Sequence, residues 1–290
     1  MSLPIKKVYL DSRYKRYDSI SNSNCKFELK QPIHLPLKCV AYIDDIQIPH
    51  TWYNVSDTNN KLYVRSINPS YVQNDQIITM DSKNYTLALL ASDLNTKLNA
   101  VFSSNLSCTA NERRGTISFV SATGYKHRIY SDEELRDGVN GHVFTGPGLN
   151  WTYPTTANPF IDGTNPLTMN DILKISGDTV FSQVGGTVET GFINLRAIHN
   201  IYITSPNLGA FDTLGPRGEQ NIVKKIPVSA DWGYVIFDSV VSEHDYIDVS
   251  KGYYKTLELT LRDVKGNVID LNSAHWSLSI VFSMMKDKDI

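Results

Sequence analysis

The sequence predicts a mainly β protein, a sandwich or a barrel, that contains one substantial helix. Short runs in which apolar and polar residues alternate recur along most of the chain, and turn-forming residues separate them. Apolar residues with the 3.6-residue period of a helix face occur convincingly in one stretch, residues 87–102.

Four strands are predicted before this helix, near residues 25–30, 39–48, 61–65 and 75–80. Phe27 and Leu29 alternate with lysine and glutamate, which indicates one buried face and one wet face. The second strand ends at Pro49, whose nitrogen cannot donate to a sheet ladder. Asn68-Pro69-Ser70 supplies a turn between the third and fourth strands.

Four more strands are predicted later in the chain, near residues 199–204, 233–239, 255–262 and 277–283. Leu257, Leu259 and Leu261 alternate with polar residues. Lys265-Gly266-Asn267 then forms a turn, because glycine adopts positive φ angles without a steric clash. Strands at this spacing, with turns between them, are typical of two packed sheets or a barrel.

The middle of the chain, residues 84–190, is predicted to form a separate α+β subdomain. Its helix begins at a Thr86 cap, and its leucines form an apolar face for strands near 116–120 and 127–130. Residues 138–166 are rich in glycine and proline, which favours exposed loops. We expect this subdomain to project from the sandwich; the alternative is that the helix covers an open end of the sandwich.

Composition excludes several classes of protein. The formal charge of the 290 residues is −2, which lacks the basic surplus that an extended nucleic-acid site needs. We find no signal peptide and no apolar run long enough to span a bilayer, so we expect a soluble chain made in a reducing compartment. Cys25, Cys39 and Cys108 are scattered and odd in number, and we predict that all three are free thiols.

No catalytic, metal-binding or cofactor-binding pattern emerges, so we expect a protein that is not an enzyme. The seven histidines include no short metal-ligand pair. Asp44 and Asp45 are neighbours in a predicted strand and should point to opposite faces. Asp132, Glu133 and Glu134 follow a serine that can cap a helix, and acidic residues suit a helix start.

A glycine-rich segment resembles a phosphate cradle at first sight. In Gly215-Pro216-Arg217-Gly218 we favour a plain turn that exposes Arg217. Lys224 and Lys225 follow, which predicts a small basic spot that could meet acidic groups of a partner.

The N-terminal segment combines aromatic and basic residues. Tyr14 and Tyr17 lie among Arg13, Lys15 and Arg16, and protein interfaces prefer aromatic residues and arginine at their centres. We predict an assembly contact here. The alternative is an N-terminal arm, about residues 1–20, that packs on its own domain.

Several sequence segments, taken in their order along the chain, resemble those of a known family. They are Leu10–Arg13, Ile46–Asn54, Ile129–Leu135, Asn194–Ile203, Leu214–Glu219, Lys224–Val228, Gly266–Leu271 and Trp276–Ile280. Together they resemble the penton, or minor capsid, proteins of virophages and of Polinton/Maverick-type viruses. The resemblance covers most of the chain and is weakest over residues 138–180.

The resemblance implies a single jelly-roll β-sandwich that forms homopentamers at the five-fold vertices of an icosahedral virion, beside the major capsid protein of the same virus. The jelly roll is then expected at residues 1–83 plus 191–290, and the insertion is a candidate contact for a host receptor. Assembly contacts are predicted at Arg13, Tyr14, Arg16, Tyr17, Trp52 and Arg217.

The alternative function is a β-sandwich carbohydrate-binding or attachment module. In that case Trp52, Tyr53, Trp151 or Tyr153 would be exposed and would stack on sugar rings.

Overall fold

A computed structural model of the chain separates into two compact units. The first unit comprises residues 1–52 and 198–290, and the second comprises residues 53–197. The structure describes residues 3–131, 144–146, 149–151, 168–175, 180–181, 186–196, 198–208, 213–216, 218–239 and 245–284.

Strands dominate the described residues. In chain order the elements are β1 (Leu3–Asp11), a 3-10 helix (Ser12–Tyr14), β2 (Asn24–His34), β3 (Cys39–Pro49), β4 (Lys61–Ile67), β5 (Gln73–Thr79), α1 (Leu87–Phe102), β6 (Leu106–Asn111), β7 (Thr116–Ser121), β8 (Lys126–Ile129), β9 (Phe144–Gly146), β10 (Leu149–Trp151), α2 (Asn170–Leu173), β11 (Val180–Phe181), β12 (Thr187–Glu189), β13 (Asn200–Thr204), β14 (Ile222–Pro227), β15 (Val235–Asp238), β16 (Ile247–Asp248), β17 (Tyr253–Arg262) and β18 (Ser277–Met284).

The first unit is a jelly roll, which confirms the predicted fold class. One sheet has the strand order β1-β18-β3-β15, with β16 also paired to β3, and the other has the order β14-β13-β17-β2. All of these pairs are antiparallel. If the strand positions are lettered B to I along the chain, with β15 and β16 sharing G, the orders become B-I-D-G and C-H-E-F. This alternation between two sheets is the jelly-roll connectivity.

The N-terminal residues pack on their own domain, as the alternative for this segment states, but they do so as a sheet strand and not as an arm. Strand β1 pairs with β18, and Val8 lies opposite Ile280 while Leu10 lies opposite Leu278. Leu10 is buried in the core, and Val8 packs against the core. The alternation in β1 is short, and a register shift between Pro4 and Lys6 interrupts it, which concealed the strand in the sequence.

A buried ion pair joins the two sheets at one side of the sandwich. Lys224 of β14 and Asp238 of β15 belong to different sheets, and the Lys224 Nζ lies 2.7 Å from an Asp238 carboxylate oxygen. Both side chains are largely shielded from solvent. The predicted basic spot is therefore wrong for Lys224, because this lysine is buried and paired while Lys225 stays exposed.

The second unit combines a helix with small sheets. Strands pair in the orders β11-β8-β4-β5 and β12-β7-β6, and β9 pairs with β10. Helix α1 packs on β6 and buries Leu90, Leu94 and Leu98. The Thr86 hydroxyl accepts a hydrogen bond from the Leu89 backbone N–H, as a helix cap does. The structure thus confirms the predicted helix and its cap.

The boundaries of the insertion differ from those predicted from the sequence. The predicted jelly roll ended at residue 83 and resumed at 191, whereas the first unit ends at 52 and resumes at 198. The reason is that β4 pairs with β8 and buries Leu62 and Val64 in the second core, so β4 and β5 belong to the second unit. The sequence predicted that β4 and β5 belong to the jelly roll, and β1 and β14 occupy those two places instead.

The three cysteines are free and buried, which confirms the prediction of free thiols. Burial raises the pKa of Cys25 to about 11 and that of Cys108 to about 12. Both thiols therefore stay protonated near neutral pH, and the thiol form is the unreactive one.

His127 lies in the interior of the second unit. Its Nδ1 is 2.8 Å from the Ser121 hydroxyl and its Nε2 is 3.0 Å from the Ser66 hydroxyl. The Phe102 ring meets it edge-on at a centroid distance of 5.6 Å. Burial lowers the pKa of His127 to about 4, because a charged imidazolium would lose its hydration.

We predict that the jelly roll folds without the second unit. Replacing residues 53–197 with a short Gly/Ser linker should give a soluble protein with one cooperative thermal transition. The reason is that the described buried apolar residues of the first core all come from residues 1–52 and 198–290. Scanning calorimetry provides the measurement. An aggregated or non-cooperative product, beside a well-behaved parent chain, would contradict this prediction.

We predict that Lys224→Met lowers the free energy of unfolding by about 3 kcal/mol, because it leaves the Asp238 carboxylate buried and unpaired. The double variant Lys224→Met/Asp238→Leu should recover most of that loss, since it removes both charges. Lys225→Met is the matched control on the exposed neighbour. Urea unfolding gives the values, and losses that simply add in the double variant would show that the pair is not coupled.

We predict that the chain loses stability as the pH falls from about 6.5 to about 4. In this window the unfolded chain protonates His127 before the folded chain does, and the total loss is about 3 kcal/mol. Urea unfolding at a series of pH values provides the measurement. His127→Gln should flatten the slope, whereas the exposed-site control His34→Gln should leave it unchanged. An equal slope in His127→Gln and the parent would refute the assignment to His127.

Candidate assembly surfaces

The loop between β1 and β2 carries three large apolar side chains into solvent. We call residues 12–23 the Tyr17 loop. Tyr14, Tyr17 and Ile20 are between 80 and 96% exposed. These side chains do not pack on their own domain, so the alternative in which the segment lies folded against the sandwich does not describe them.

Hydrogen bonds hold the Tyr17 loop at its C-terminal end. The Asn22 side-chain amide donates to the carbonyl oxygens of Ser273 at 2.9 Å and Ala274 at 3.2 Å, and its oxygen accepts from Lys15 Nζ at 2.7 Å. The Trp276 indole N–H donates to the Asn22 carbonyl oxygen at 2.5 Å. Asn22 thus joins the loop to the turn that precedes β18.

The other contacts tie the loop to β2 and β18. The Arg16 backbone N–H donates to the Lys26 carbonyl oxygen at 2.7 Å, and the Lys26 N–H donates to the Ser19 hydroxyl at 2.9 Å. The Ser12 N–H donates to the Trp276 carbonyl oxygen at 2.9 Å. The exposed aromatic side chains therefore stand on an ordered backbone.

The arginines of the loop are paired within the chain. The Arg13 guanidinium binds both carboxylate oxygens of Asp11 and lowers the pKa of that carboxyl. The Arg16 Nε lies 3.0 Å from Asp18, and its Nη1 lies 3.5 Å from Glu28. The loop consequently presents apolar surface more than net charge.

A second apolar surface lies on β15 and the turn before it. We call Trp232, Tyr234, Val235 and Phe237 the Phe237 patch; all four are between 52 and 71% exposed. Strand β15 pairs with β3, where Val235 lies opposite Pro49 and Phe237 lies opposite Gln47. Ile236 points the other way and is buried in the core.

The turn before β15 is held by the end of β3. The His50 N–H donates to the Tyr234 carbonyl oxygen at 2.8 Å, and the Gly233 N–H donates to the His50 carbonyl oxygen at 2.8 Å. Gly233 has a φ of +85°, which L-residues rarely adopt. Sequence reasoning missed this patch. Its signal was the unbroken apolar run from Tyr234 to Phe237, which a strand with one buried face does not need.

Trp52 and Arg217, which were also predicted as contact residues, are not seen as exposed side chains like Tyr14 and Tyr17. Trp52 is only 6% exposed, and its ring packs against the His50 ring at a centroid distance of 4.2 Å. The prediction of a Trp52 contact is therefore wrong, because the side chain belongs to the first core. Arg217 lies outside the described residues. Around it, the Gly218 N–H donates to the Gly215 carbonyl oxygen at 3.0 Å, which is the hydrogen bond of a turn.

The aromatic residues that favoured a carbohydrate site receive little support. Trp52 is buried and Tyr53 is half-buried. The side chain of Trp151 and the whole of Tyr153 lie outside the described part of the structure. No exposed pair of stacking rings is formed by the candidates that the structure describes.

Asp44 and Asp45 share one face, contrary to the sequence-based expectation. The pairing of β3 with β18 skips a residue, so that Asp45 lies opposite Ser279 and Ile43 opposite Ile280. Asp44 is the extra residue of this bulge. The Lys7 Nζ lies 2.5 Å from Asp44 and 3.7 Å from Asp45, which neutralises part of their charge. Asp132, Glu133 and Glu134 lie outside the described residues.

Among the residues that the structure describes, no group of three or more histidine, cysteine, aspartate or glutamate side chains is placed to hold a metal ion. In the same part of the chain, no helix is long and apolar enough to cross a membrane.

The fold is similar to that of a solved penton protein. The structure of the mavirus penton protein matches this chain with a TM-score of 0.50 and 10% sequence identity. The match covers 97% of this chain and 100% of the penton chain, so it spans both compact units. No protein-family model and no curated protein sequence matches the chain.

Proposed function

We propose that this chain is a structural capsid protein that forms homopentamers at the five-fold vertices of an icosahedral virion. The observation that carries the proposal is the extent of the match to the mavirus penton protein, which includes the second unit as well as the jelly roll. Jelly rolls alone serve many functions, so a match confined to the sandwich would carry less weight.

The surface of the jelly roll supports this proposal. The Tyr17 loop and the Phe237 patch expose large aromatic side chains that a monomer has little reason to present to water. Aromatic residues of this kind anchor protein interfaces. We propose a structural role without catalysis, with the pentamer rim contacting the major capsid protein and with the second unit available to a host receptor.

We predict that native mass spectrometry of the purified chain will show a species of about five times the chain mass of 32.6 kDa at high protein concentration. A stable ring should bury about 1,000 Å² or more of total surface at each subunit contact. Glycan-array binding by a monomeric chain would favour the carbohydrate-binding alternative. A strictly monomeric or dimeric chain that is also absent from the five-fold positions of particles would refute the capsid proposal.

A further inference from the structure

We propose that neighbouring copies of this chain pack head to tail, with the Tyr17 loop of one copy seated against the Phe237 patch of the next. The partner is a second copy of the same chain. The inference rests on the proposed function, and it assigns the two faces that would close the ring.

The area of the two surfaces fits a subunit contact. One contact would join two tyrosines of the loop to the three aromatic residues of the patch. Aromatic side chains bury about 150–250 Å² each, so at the observed exposures these five offer on the order of 700 Å². A standard interface buries about 1,600 Å² in total, so these side chains alone would supply close to half of it.

The positions of the two surfaces favour a head-to-tail contact. The Tyr17 loop connects β1 to β2, which are edge strands of the two sheets. The opposite edges are β15, which carries the patch, and β14, and the Lys224–Asp238 ion pair joins these two strands. The loop and the patch therefore lie on opposite sides of the sandwich.

Opposite placement is what a closed ring requires. A cyclic assembly with more than two members uses two different surfaces of each subunit, and each surface meets the other kind on the neighbour. A two-fold dimer would cover only one of the two aromatic surfaces and leave its counterpart in water. A head-to-tail ring covers both on every subunit.

Hydrogen bonds within the chain hold the backbone of both surfaces. Asn22 and Ser12 hold the loop to the chain around Trp276, and His50 holds the turn that carries Trp232 and Tyr234. Binding therefore costs little additional loop ordering. The edge of β15 is also a strand edge that a neighbouring subunit would cover.

Cysteine cross-linking tests the contact in the intact chain. The double variant Tyr17→Cys/Phe237→Cys, treated with a short bis-maleimide, should give a denaturing-gel ladder that ends at the pentamer. Each single variant alone should stay a monomer, whereas a mixture of the two single variants should give a dimer. The native cysteines are buried and do not compete. Tyr71→Cys/Phe237→Cys is the matched control, because Tyr71 is comparably exposed but lies in the second unit.

Substitution gives an independent measurement. Tyr17→Ser and Phe237→Ser should each raise the concentration needed for ring formation at least tenfold, as removal of an interface anchor does, while Tyr71→Ser should leave it unchanged. Unchanged thermal transitions would show that these surface variants still fold.

The outcomes separate this inference from the proposed function. If the parent chain forms pentamers but the variants assemble equally well and the double-cysteine chain gives no ladder, the head-to-tail contact is wrong and the capsid proposal stands. Dimers from a single-cysteine variant alone would also overturn the contact, because they would show like surfaces meeting. If the parent chain stays monomeric or dimeric and is also absent from the five-fold positions of particles, both proposals fail.

Discussion

The structure depends on the pairing of β18 between β1 and β3. This strand joins the first strand of the chain to the third, and its residues Leu278, Ile280 and Phe282 are buried in the core. The Trp276 residue just before it contacts Ser12 and Asn22 at the two ends of the Tyr17 loop. The same strand thus completes one sheet and fixes the loop that we assign to assembly.

At the side of the sandwich formed by β14 and β15, an ion pair joins the two sheets. Asp238 points inward to Lys224, and Phe237, its neighbour on β15, points outward. The ion pair and the burial of Ile236 together leave Phe237 on the outward face of β15. A buried pair of this kind is costly to break on one side only, which limits how far β15 can rotate or slip.

The alternation of apolar and polar residues predicted the long, half-buried strands well. It located β2, β17 and β18, and the helix α1 with its Thr86 cap, because each of these follows one clear period, whereas β3 was located as a longer run that ends at Pro49. It failed for β1 and β14, where lysines and a register shift break the period. In β14 the buried lysine pairs with Asp238, a residue of the other sheet that local sequence cannot reveal.

The sequence predicted one surface whose side chains are exposed and one contact residue that is buried. The aromatic and basic composition around Tyr14 and Tyr17 identified the loop, but Trp52 looked equally suitable and is buried. Burial of a single aromatic residue depends on its neighbours in space, here His50 and the first core. Whether β4 and β5 belong to the sandwich also depends on pairing with β8, far along the chain.

The interruption of the jelly roll by a continuous second unit sets an order of events during synthesis. Residues 53–197 leave the ribosome as one uninterrupted segment and can fold at once, whereas β1 and β3 must wait for β18. Through that interval the apolar faces of the early strands lack their partner sheet. The jelly roll, and with it both surfaces that we assign to the ring contact, is therefore complete only after residue 284 has emerged.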